Sequence, residues 1–275
     1  MDIKRRVNDA LQRLTGYQLT RVGPASPSTR GGRSDDDRLV PDPVFIHCSV
    51  RSGSTLLKSV LGSHSTLHAP HELHLRHMHV ELGSSYVQKA MKELGMSARD
   101  LEHLLWDRIL DTELAKSGKT RIVVKTPNHV FMWRRIAQCW PGAAHVFLLR
   151  HPASIARSWH QARPKWTVEE TVENVLGYMN ALNEARTELP GITVRYEELT
   201  AEPERVGRGL CDFLGLAWEP GMLEYGKSGT SFKRGLGDWK EKISSGRIQQ
   251  AAPFPDHTPE GLHEICRSWD YPITG

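Results

Sequence analysis

The stretch from Val44 to Leu61 joins three features that together restrict the fold. An apolar, β-prone run is followed by a loop of small polar residues. Apolar side chains then recur at helical spacing, at Leu56, Leu57, Val60 and Leu61. A strand–loop–helix unit presents backbone N–H groups at the helix N-terminus, where the helix dipole also attracts negative charge. The stretch therefore predicts an anion-binding loop in an α/β fold.

The loop lacks the residues of a nucleotide triphosphatase loop. That motif, G-x-x-x-x-G-K-[ST], would require glycine in place of Cys48 and lysine in place of Ser54. Arg51 precedes Gly53 instead, and a guanidinium group suits the oxygens of phosphate and sulfate. An ordinary strand–turn–helix connection is the alternative interpretation of this segment taken alone.

Length and composition favour one reduced, soluble domain. A chain of 275 residues can bury a core without disulfides, and its four cysteines have neither paired nor metal-binding spacing. No apolar run approaches the length of a membrane span, and no signal peptide is evident, so we expect a cytoplasmic protein. The net charge is +4, and residues 1–38 hold eight Lys/Arg against five Asp. The nearly neutral remainder argues against nucleic-acid binding.

The first 42 residues are predicted to lie outside the main domain. Residues 1–20 have the pattern of a short basic amphipathic helix, and residues 22–42 are rich in Gly, Pro, Ser and Asp, as in a linker. This helix could contact a membrane surface or a partner, or fold onto the domain. The predicted domains are therefore an N-terminal helix and linker, 1–42, and a catalytic domain, 43–275.

Short apolar segments alternate with helical ones after Pro43. The strand candidates are Val44–Cys48, Arg121–Lys125, His145–Leu149 and Ile192–Tyr196. Between the last two, a helix is predicted from Val172, Val175, Leu176, Met179 and Leu182. This alternation predicts βαβ units and a buried parallel sheet, whose ligands bind at the carboxyl ends of the strands.

Three of the predicted strands end in a cation. The loop with Arg51 follows the first strand, Lys125 ends the second, and Arg150 follows the third. Parallel strands bring these ends to one edge of the sheet, so we expect a ligand with more than one anionic group. A magnesium-dependent phosphotransferase would carry Asp at the end of a strand where this chain has Arg150, which weakens that interpretation.

The chain resembles the sulfotransferases that use 3′-phosphoadenosine 5′-phosphosulfate (PAPS). Four segments carry the resemblance between about Val44 and Arg247, in the order S-V-R-S-G-S-T, F-L-L-R-H-P-A-S-I-A-R-S-W, V-R-Y-E-E-L with C-D-F-L-G-L, and K-R-G-L-G-D-W. The first matches the P-R-S-G-[ST]-T form of the tyrosylprotein, carbohydrate and many bacterial members, with Val50 in place of proline. The implied fold is a P-loop-like three-layer α/β domain with a central parallel sheet flanked by helices.

The resemblance assigns the nucleotide contacts. It implies that the 5′-phosphosulfate is bound by the loop residues Arg51, Ser52, Gly53, Ser54 and Thr55. It implies that Arg150 and Ser158 bind the 3′-phosphate and that Tyr196 lies near the nucleotide. A loop that covers the nucleotide would contain Lys233, Arg234 and Gly235. No metal is implied, because cationic side chains neutralise the developing charge.

The resemblance also implies the catalytic groups. Glu72, in H-A-P-H-E-L-H, matches the glutamate that serves as general base in tyrosylprotein and several bacterial members. Lys125 matches the lysine that stabilises the transferring sulfuryl group, and Arg51 assists it. A carboxylate that takes the acceptor's hydroxyl proton typically contributes ~10²–10⁴ in rate. The implied activity is sulfuryl transfer from PAPS to a hydroxyl of a small-molecule or carbohydrate acceptor.

Histidines crowd the region around the proposed base. His64, His68, His71, His74, His77 and His79 suggest zinc, but H-E-L-H is not the metalloprotease pattern H-E-x-x-H. Acceptor-pocket lining and ordinary surface histidines are the favoured interpretations. Because cytosolic aryl members use a histidine base, His71 is an alternative to Glu72, and His129 is a further candidate. The segments Leu67–Leu82 and Trp159–Trp166 are expected to line the acceptor pocket.

Two other functions remain open from the sequence. A magnesium-dependent P-loop kinase of a small molecule would require a lysine in the loop. A non-catalytic module that binds a nucleotide or sulfated ligand would need neither Glu72 nor Lys125. The acceptor is not readable from the sequence, although a sugar or a bacterial secondary metabolite suits the mixture of residues in the predicted pocket.

Overall fold

The computed structural model describes residues 38–225 and 248–275. Within them, five parallel strands form one sheet in the order β2-β3-β1-β4-β5. The strands are β1 Val44–Cys48, β2 Leu67–His68, β3 Arg121–Lys125, β4 Ala144–Leu149 and β5 Ile192–Arg195. The central strand β1 therefore has β3 and β4 on its two sides, and the carboxyl ends of all three meet at one edge.

Helices connect the strands. In the described residues the α-helices are α1 Ser54–Gly62, α2 Ser85–Glu93, α3 Ala98–Ser117, α4 Trp133–Cys139, α5 Pro152–Ala162, α6 Val168–Glu188, α7 Tyr196–Ala201, α8 Pro203–Leu214 and α9 His263–Ser268. Short 3₁₀ helices are Leu75–His77, Pro127–Met132, Pro220–Glu224 and Glu260–Leu262. The two longest helices, α3 and α6, each begin with a capping box, which satisfies backbone N–H groups at the helix start.

The helices form one layer on each face of the sheet, because successive strand residues point to opposite faces. Val44, Ile46 and Cys48 of β1 pack in a core with α1 and α8. Phe45, between them in sequence, packs in a core with α3 and α4. Residues of β4 on that same face pack with α5, α6 and α9. The predicted three-layer α/β fold with a central parallel sheet is confirmed.

The predicted strands are confirmed with small differences at their ends. The third begins one residue earlier, at Ala144, and the fourth ends at Arg195, because Tyr196 is already the first residue of α7. The predicted helix around Met179 is α6. Strand β2 was not predicted, because a two-residue strand is too short to show periodicity.

The end of the predicted linker packs on the domain. The backbone N–H groups of Leu39 and Val40 donate hydrogen bonds to the carboxylate of Asp107, and Val40 is buried. The rest of the linker and the predicted helix at residues 1–20 lie outside the described residues. In the part of the chain that is described, no helix is both long and apolar enough to cross a membrane.

Candidate active site

The loop between β1 and α1 has an unusual backbone. Gly53 adopts a left-handed conformation with φ +86°, and Arg51 also has a positive φ, +59°. Non-glycine residues rarely adopt this region, and such strain tends to occur at ligand-binding sites. The hydroxyl of Ser52 donates to the carbonyl of Ser49 at 2.8 Å, which ties the loop back to the end of the strand.

Tyr196 lies against the loop. A Cβ atom added at Gly53 would lie 2.3 Å from Cδ2 of the Tyr196 ring, so only glycine fits at this position. The guanidinium carbon of Arg150 lies 4.5 Å from the centre of the same ring. The tyrosine is therefore held between the loop and the cation that follows β4.

Arg150, Arg51 and Ser158 form a connected set. Nη1 of Arg150 donates to the carbonyl of Arg51 at 2.8 Å, and Nε of Arg51 donates to the hydroxyl of Ser158 at 3.1 Å. Burial lowers the pKa of Arg150. Its buried Nε has no hydrogen-bond partner among the described residues. A buried cation with an unused donor is suited to an anionic ligand.

Helix α1 begins without a side-chain cap. The residue at its N-cap is Gly53, and no acidic residue lies in its first turn. All nine residues of this helix, from Ser54 to Gly62, are buried. Its first N–H groups therefore face the loop without a carboxylate to compete with an anion, a feature of helix starts that bind phosphate.

Glu72 and Lys125 form an ion pair at the end of β3. Nζ of Lys125 donates to Oε1 of Glu72; the lysine side chain is buried, with 2% exposure, and the glutamate side chain is partly buried, with 13% exposure. Nε2 of His74 lies 3.7 Å from the other carboxylate oxygen. The residues predicted to be the base and the sulfuryl-binding cation are thus brought into direct contact.

Cys48 lies between this ion pair and the loop. Burial raises the pKa of the Cys48 thiol to about 11, Lys125 lowers it, and Glu72 raises it. Hydrogen bonds with Ser54 and Ser52 lower it as well. Cys48 is the last residue of β1, directly before the loop, and β1 pairs with β3, which ends in Lys125, so the two halves of the site lie at the ends of neighbouring strands.

Lys58 lies near the ion pair, although it was not predicted from the sequence. Its Nζ donates to the carbonyl of Pro70 at 3.0 Å, two residues before Glu72. Burial lowers the pKa of Lys58 to about 8; nearby Lys125 lowers it too, while Glu72 raises it. The spacing of apolar residues predicts that Lys58 lies on the exposed face of an amphipathic helix. Because every residue of α1 is buried, the lysine is buried as well, and the spacing gave the wrong expectation.

The clustered histidines of the sequence contact different partners in the structure. His64 contacts the carbonyl of Ala217, and His77 contacts Asn128. His71 lies near Glu113 on α3, whose pKa is lowered first by Lys116 and further by His71 and His68. Among the residues that the structure describes, no three His, Cys, Asp or Glu side chains are grouped as metal ligands.

His129 is buried and already engaged. Its Nε2 accepts a hydrogen bond from the backbone N–H of Leu75 at 3.1 Å. Burial, together with the neighbouring His74, Lys125 and His77, lowers its pKa to about 3. A ring nitrogen that already accepts a hydrogen bond and binds protons so weakly is poorly suited to act as a base.

Glu197, next to Tyr196, ties the Tyr196 side of the site to the C-terminal segment. Its carboxylate accepts hydrogen bonds from the backbone N–H of His151 at 3.1 Å and from the hydroxyl of Tyr271 at 2.7 Å. This holds the start of α5, and with it Ser158, against β5. The remaining predicted contacts, Lys233, Arg234 and Gly235, lie outside the described residues.

Comparison with known proteins identifies the family. A model described as Sulfotransferase family matches residues 43–220, well over half of the chain, and spans every described site residue above. The chain belongs to the sulfotransferase family.

The solved structures of two sulfotransferases share the fold. One is the sulfotransferase domain from the curacin biosynthetic pathway, with a TM-score of 0.57 and 21% identity over 85% of this chain and 99% of that domain. The other is the sulfotransferase domain of the Synechococcus PCC 7002 olefin synthase, with a TM-score of 0.58 and 18% identity over 89% of this chain and 100% of that domain.

Two curated bacterial relatives are similar in sequence but longer. A protein of Aquifex aeolicus (strain VF5) described as uncharacterized is 30% identical over 207 residues, 68% of this chain and 27% of that protein. Nodulation protein NoeE of Sinorhizobium fredii (strain NBRC 101917 / NGR234) is 29% identical over 239 residues, 73% of this chain and 56% of that protein. This sulfotransferase thus matches about a quarter of one and just over half of the other.

Proposed function

We propose that this sulfotransferase transfers a sulfuryl group from PAPS to a hydroxyl of a small-molecule or carbohydrate acceptor, with Glu72 as general base. The observation that carries the proposal is a site with two adjacent parts. On one side, Arg150, Ser158, Arg51 and Tyr196 surround the anion-binding loop. On the other, a partly buried carboxylate contacts a buried lysine.

The residues around the loop fit the two anionic ends of such a donor. The uncapped start of α1 and the loop residues Ser52 to Thr55 would hold the 5′-phosphosulfate. Arg150 and Ser158 would hold the 3′-phosphate, and the buried, unpartnered Nε of Arg150 is a donor suited to that role. Tyr196 would lie beside the nucleotide. We also assign Lys233, Arg234 and Gly235, by resemblance, to a covering loop.

The ion pair suits proton removal from an acceptor hydroxyl. PAPS supplies an activated sulfuryl group whose transfer leaves negative charge on the departing phosphate. Glu72 accepts the hydroxyl proton, and the contact with Lys125 orients the carboxylate. Lys125 and Arg51 stabilise the growing charge more than they stabilise the bound donor, so they lower the barrier rather than only tightening binding.

Substitution of Glu72 tests the base assignment. Glu72→Gln should lower turnover by about 10²–10⁴ and leave the affinity for adenosine 3′,5′-bisphosphate (PAP) unchanged, because the amide cannot take the proton. Turnover is measured as transfer of ³⁵S from labelled PAPS to a panel of hydroxyl compounds. The matched control is Glu113→Gln, which removes a carboxylate paired with a lysine, Lys116, at another place.

A substitution of His71 tests the alternative base. If Glu72 is the base, His71→Asn should retain turnover, since His71 lies near Glu113. Loss of turnover in His71→Asn with normal activity in Glu72→Gln would assign the base to the histidine. Transfer of phosphate from ATP in the presence of magnesium, without transfer from PAPS, would reject the donor assignment.

A further inference from the structure

Two arginines of the described chain lie on aromatic rings in the segments predicted to line the acceptor pocket. The guanidinium carbon of Arg76 is 4.7 Å from the centre of the Phe131 ring. That of Arg163 is 3.3 Å from the centre of Trp159 and 5.3 Å from Trp166. We call Arg76 and Arg163 the arginine pair. Contact with a ring face holds each guanidinium in place but leaves its N–H edges available.

Each member of the arginine pair follows a part of the active site in the chain. Arg76 lies in the 3₁₀ helix that comes directly after Glu72, and Phe131 lies in the one that comes directly after Lys125. Arg163 is the C-cap of α5, the helix that carries Ser158. The short distances along the chain restrict both arginines to the surroundings of the ion pair and the loop.

Tyr178 of α6 connects the pair to the proposed base. Its ring meets that of Phe131 edge to face, with centres 4.6 Å apart. Burial raises the pKa of Tyr178, Arg76 and Arg163 lower it, and Glu72 raises it. The Tyr178 ring therefore packs on the same Phe131 ring that carries Arg76, and the charges of Arg163 and Glu72 also act on its phenol.

The arginine pair is not engaged in ion pairs within the described residues. In the described part of the chain neither arginine has a carboxylate partner, whereas the stacked Arg134 pairs with Glu184. The sequence from residue 151 to 168 contains no Asp or Glu, and neither does that from 73 to 80. In addition, the indole Nε1 of Trp159 is buried and has no hydrogen-bond partner among the described residues.

We propose that the arginine pair binds an anionic group of the acceptor, so that the enzyme sulfates hydroxyl compounds that also carry a carboxylate or a phosphate. The inference rests on the proposed function, because it takes Glu72 to mark the acceptor side. A guanidinium can donate two parallel hydrogen bonds to such an anion, and the rings beneath the pair contact the apolar part of the same molecule.

Matched probes test this class of acceptor. With the nucleotide site saturated by PAP, we would titrate 4-hydroxyphenylacetate and 3-hydroxyoctanoate against their methyl esters, and glucose 6-phosphate against glucose. Tryptophan fluorescence reports binding, because Arg163 lies on Trp159 and Trp166. In at least one pair the charged probe should bind about tenfold or more tightly than the neutral one, as expected of a charge-assisted contact.

Substitutions then assign the preference to the arginine pair. Arg76→Gln and Arg163→Gln should each remove most of the difference in affinity between the charged and the neutral probe. The affinities for PAP and for the neutral probe should stay unchanged. The control is Arg208→Gln, since Arg208 also lies over an indole ring, that of Trp218 at 5.4 Å, but belongs to α8 on the other face of the sheet.

Three results would overturn the inference while the proposed function stands: equal binding of charged and neutral probes, an equal loss of both in the arginine variants, or no binding of any charged probe at millimolar concentration. Failure of the protein to bind PAP would instead refute the proposed function, so the two failures are distinguishable.

Discussion

Gly53→Ala tests the packing of the loop against Tyr196. The substitution adds a Cβ at φ +86° and 2.3 Å from Cδ2 of the tyrosine ring. A left-handed backbone costs a non-glycine residue about 1–2 kcal/mol, and overpacking typically adds about 1–3 kcal/mol. The ring cannot move without weakening its contact with Arg150. We therefore expect the free energy of unfolding to fall by about 2–5 kcal/mol.

Gly118→Ala is the matched control. Gly118 has a similar φ, +67°, but a Cβ there would have no atom within 4 Å, so it isolates the backbone term of about 1–2 kcal/mol. Urea unfolding gives the stabilities, and calorimetry gives the affinity for PAP. Gly53→Ala should also lose at least about tenfold in that affinity, a change of 1.4 kcal/mol, whereas Gly118→Ala should keep it.

A double-mutant cycle separates the clash from the backbone term. In the Tyr196→Ala background, Gly53→Ala should destabilise the protein only as much as Gly118→Ala does, because the ring that it meets is gone. Equal effects of the two alanine substitutions in the wild-type background, or strict additivity with Tyr196→Ala, would refute the proposed contact.

Three further predictions concern charge. Arg150→Ala should weaken binding of PAP by about 10–100-fold but that of adenosine 5′-phosphate by only a few-fold, since only PAP has the 3′-phosphate; equal losses by calorimetry would contradict this. Burial lowers the pKa of His103, His129 and His145 to about 4, 3 and 4, so below pH 6.5 the unfolded chain binds more protons than the native one. The free energy of unfolding should therefore fall as pH drops from 7 to 5, by up to about 1.4 kcal/mol per unit for each histidine, and a flat urea-unfolding profile would refute it. Because burial lowers the pKa of Lys58 to about 8, the wild type should gain stability between pH 8 and 10 relative to Lys58→Met, by about 1 kcal/mol or more; a constant difference would count against that burial.

The sequence predicted most of the sheet because buried parallel strands read as short apolar runs. Arg121–Lys125 is found as predicted, and the parallel order brings Lys125 and Arg150 to either side of the loop. Tyr196 was assigned to the end of a strand, yet it begins a helix. Strand and helix boundaries depend on backbone contacts that a residue pattern does not specify.

The parts of the site that depend on long-range packing could not be read from the sequence. The contact between Lys125 and Glu72 joins residues far apart in the chain, and only the resemblance brought them together in advance. Burial of Lys58 depends on α1 being covered on every side, which amphipathic spacing cannot reveal. The contacts of Tyr196 with Gly53 and of Arg163 with Trp159 likewise depend on side-chain positions in three dimensions, which a sequence pattern does not specify.

The choice of donor is tested most directly by the effect of nucleotides on thermal unfolding. PAP, without added metal, at about 100 times its dissociation constant should stabilise the protein by about 2.7 kcal/mol and raise the melting temperature by several degrees. ATP, with or without magnesium, should have a much smaller effect, because it lacks a 3′-phosphate for Arg150 and Ser158. A clear shift with magnesium and ATP, and none with PAP, would contradict the account.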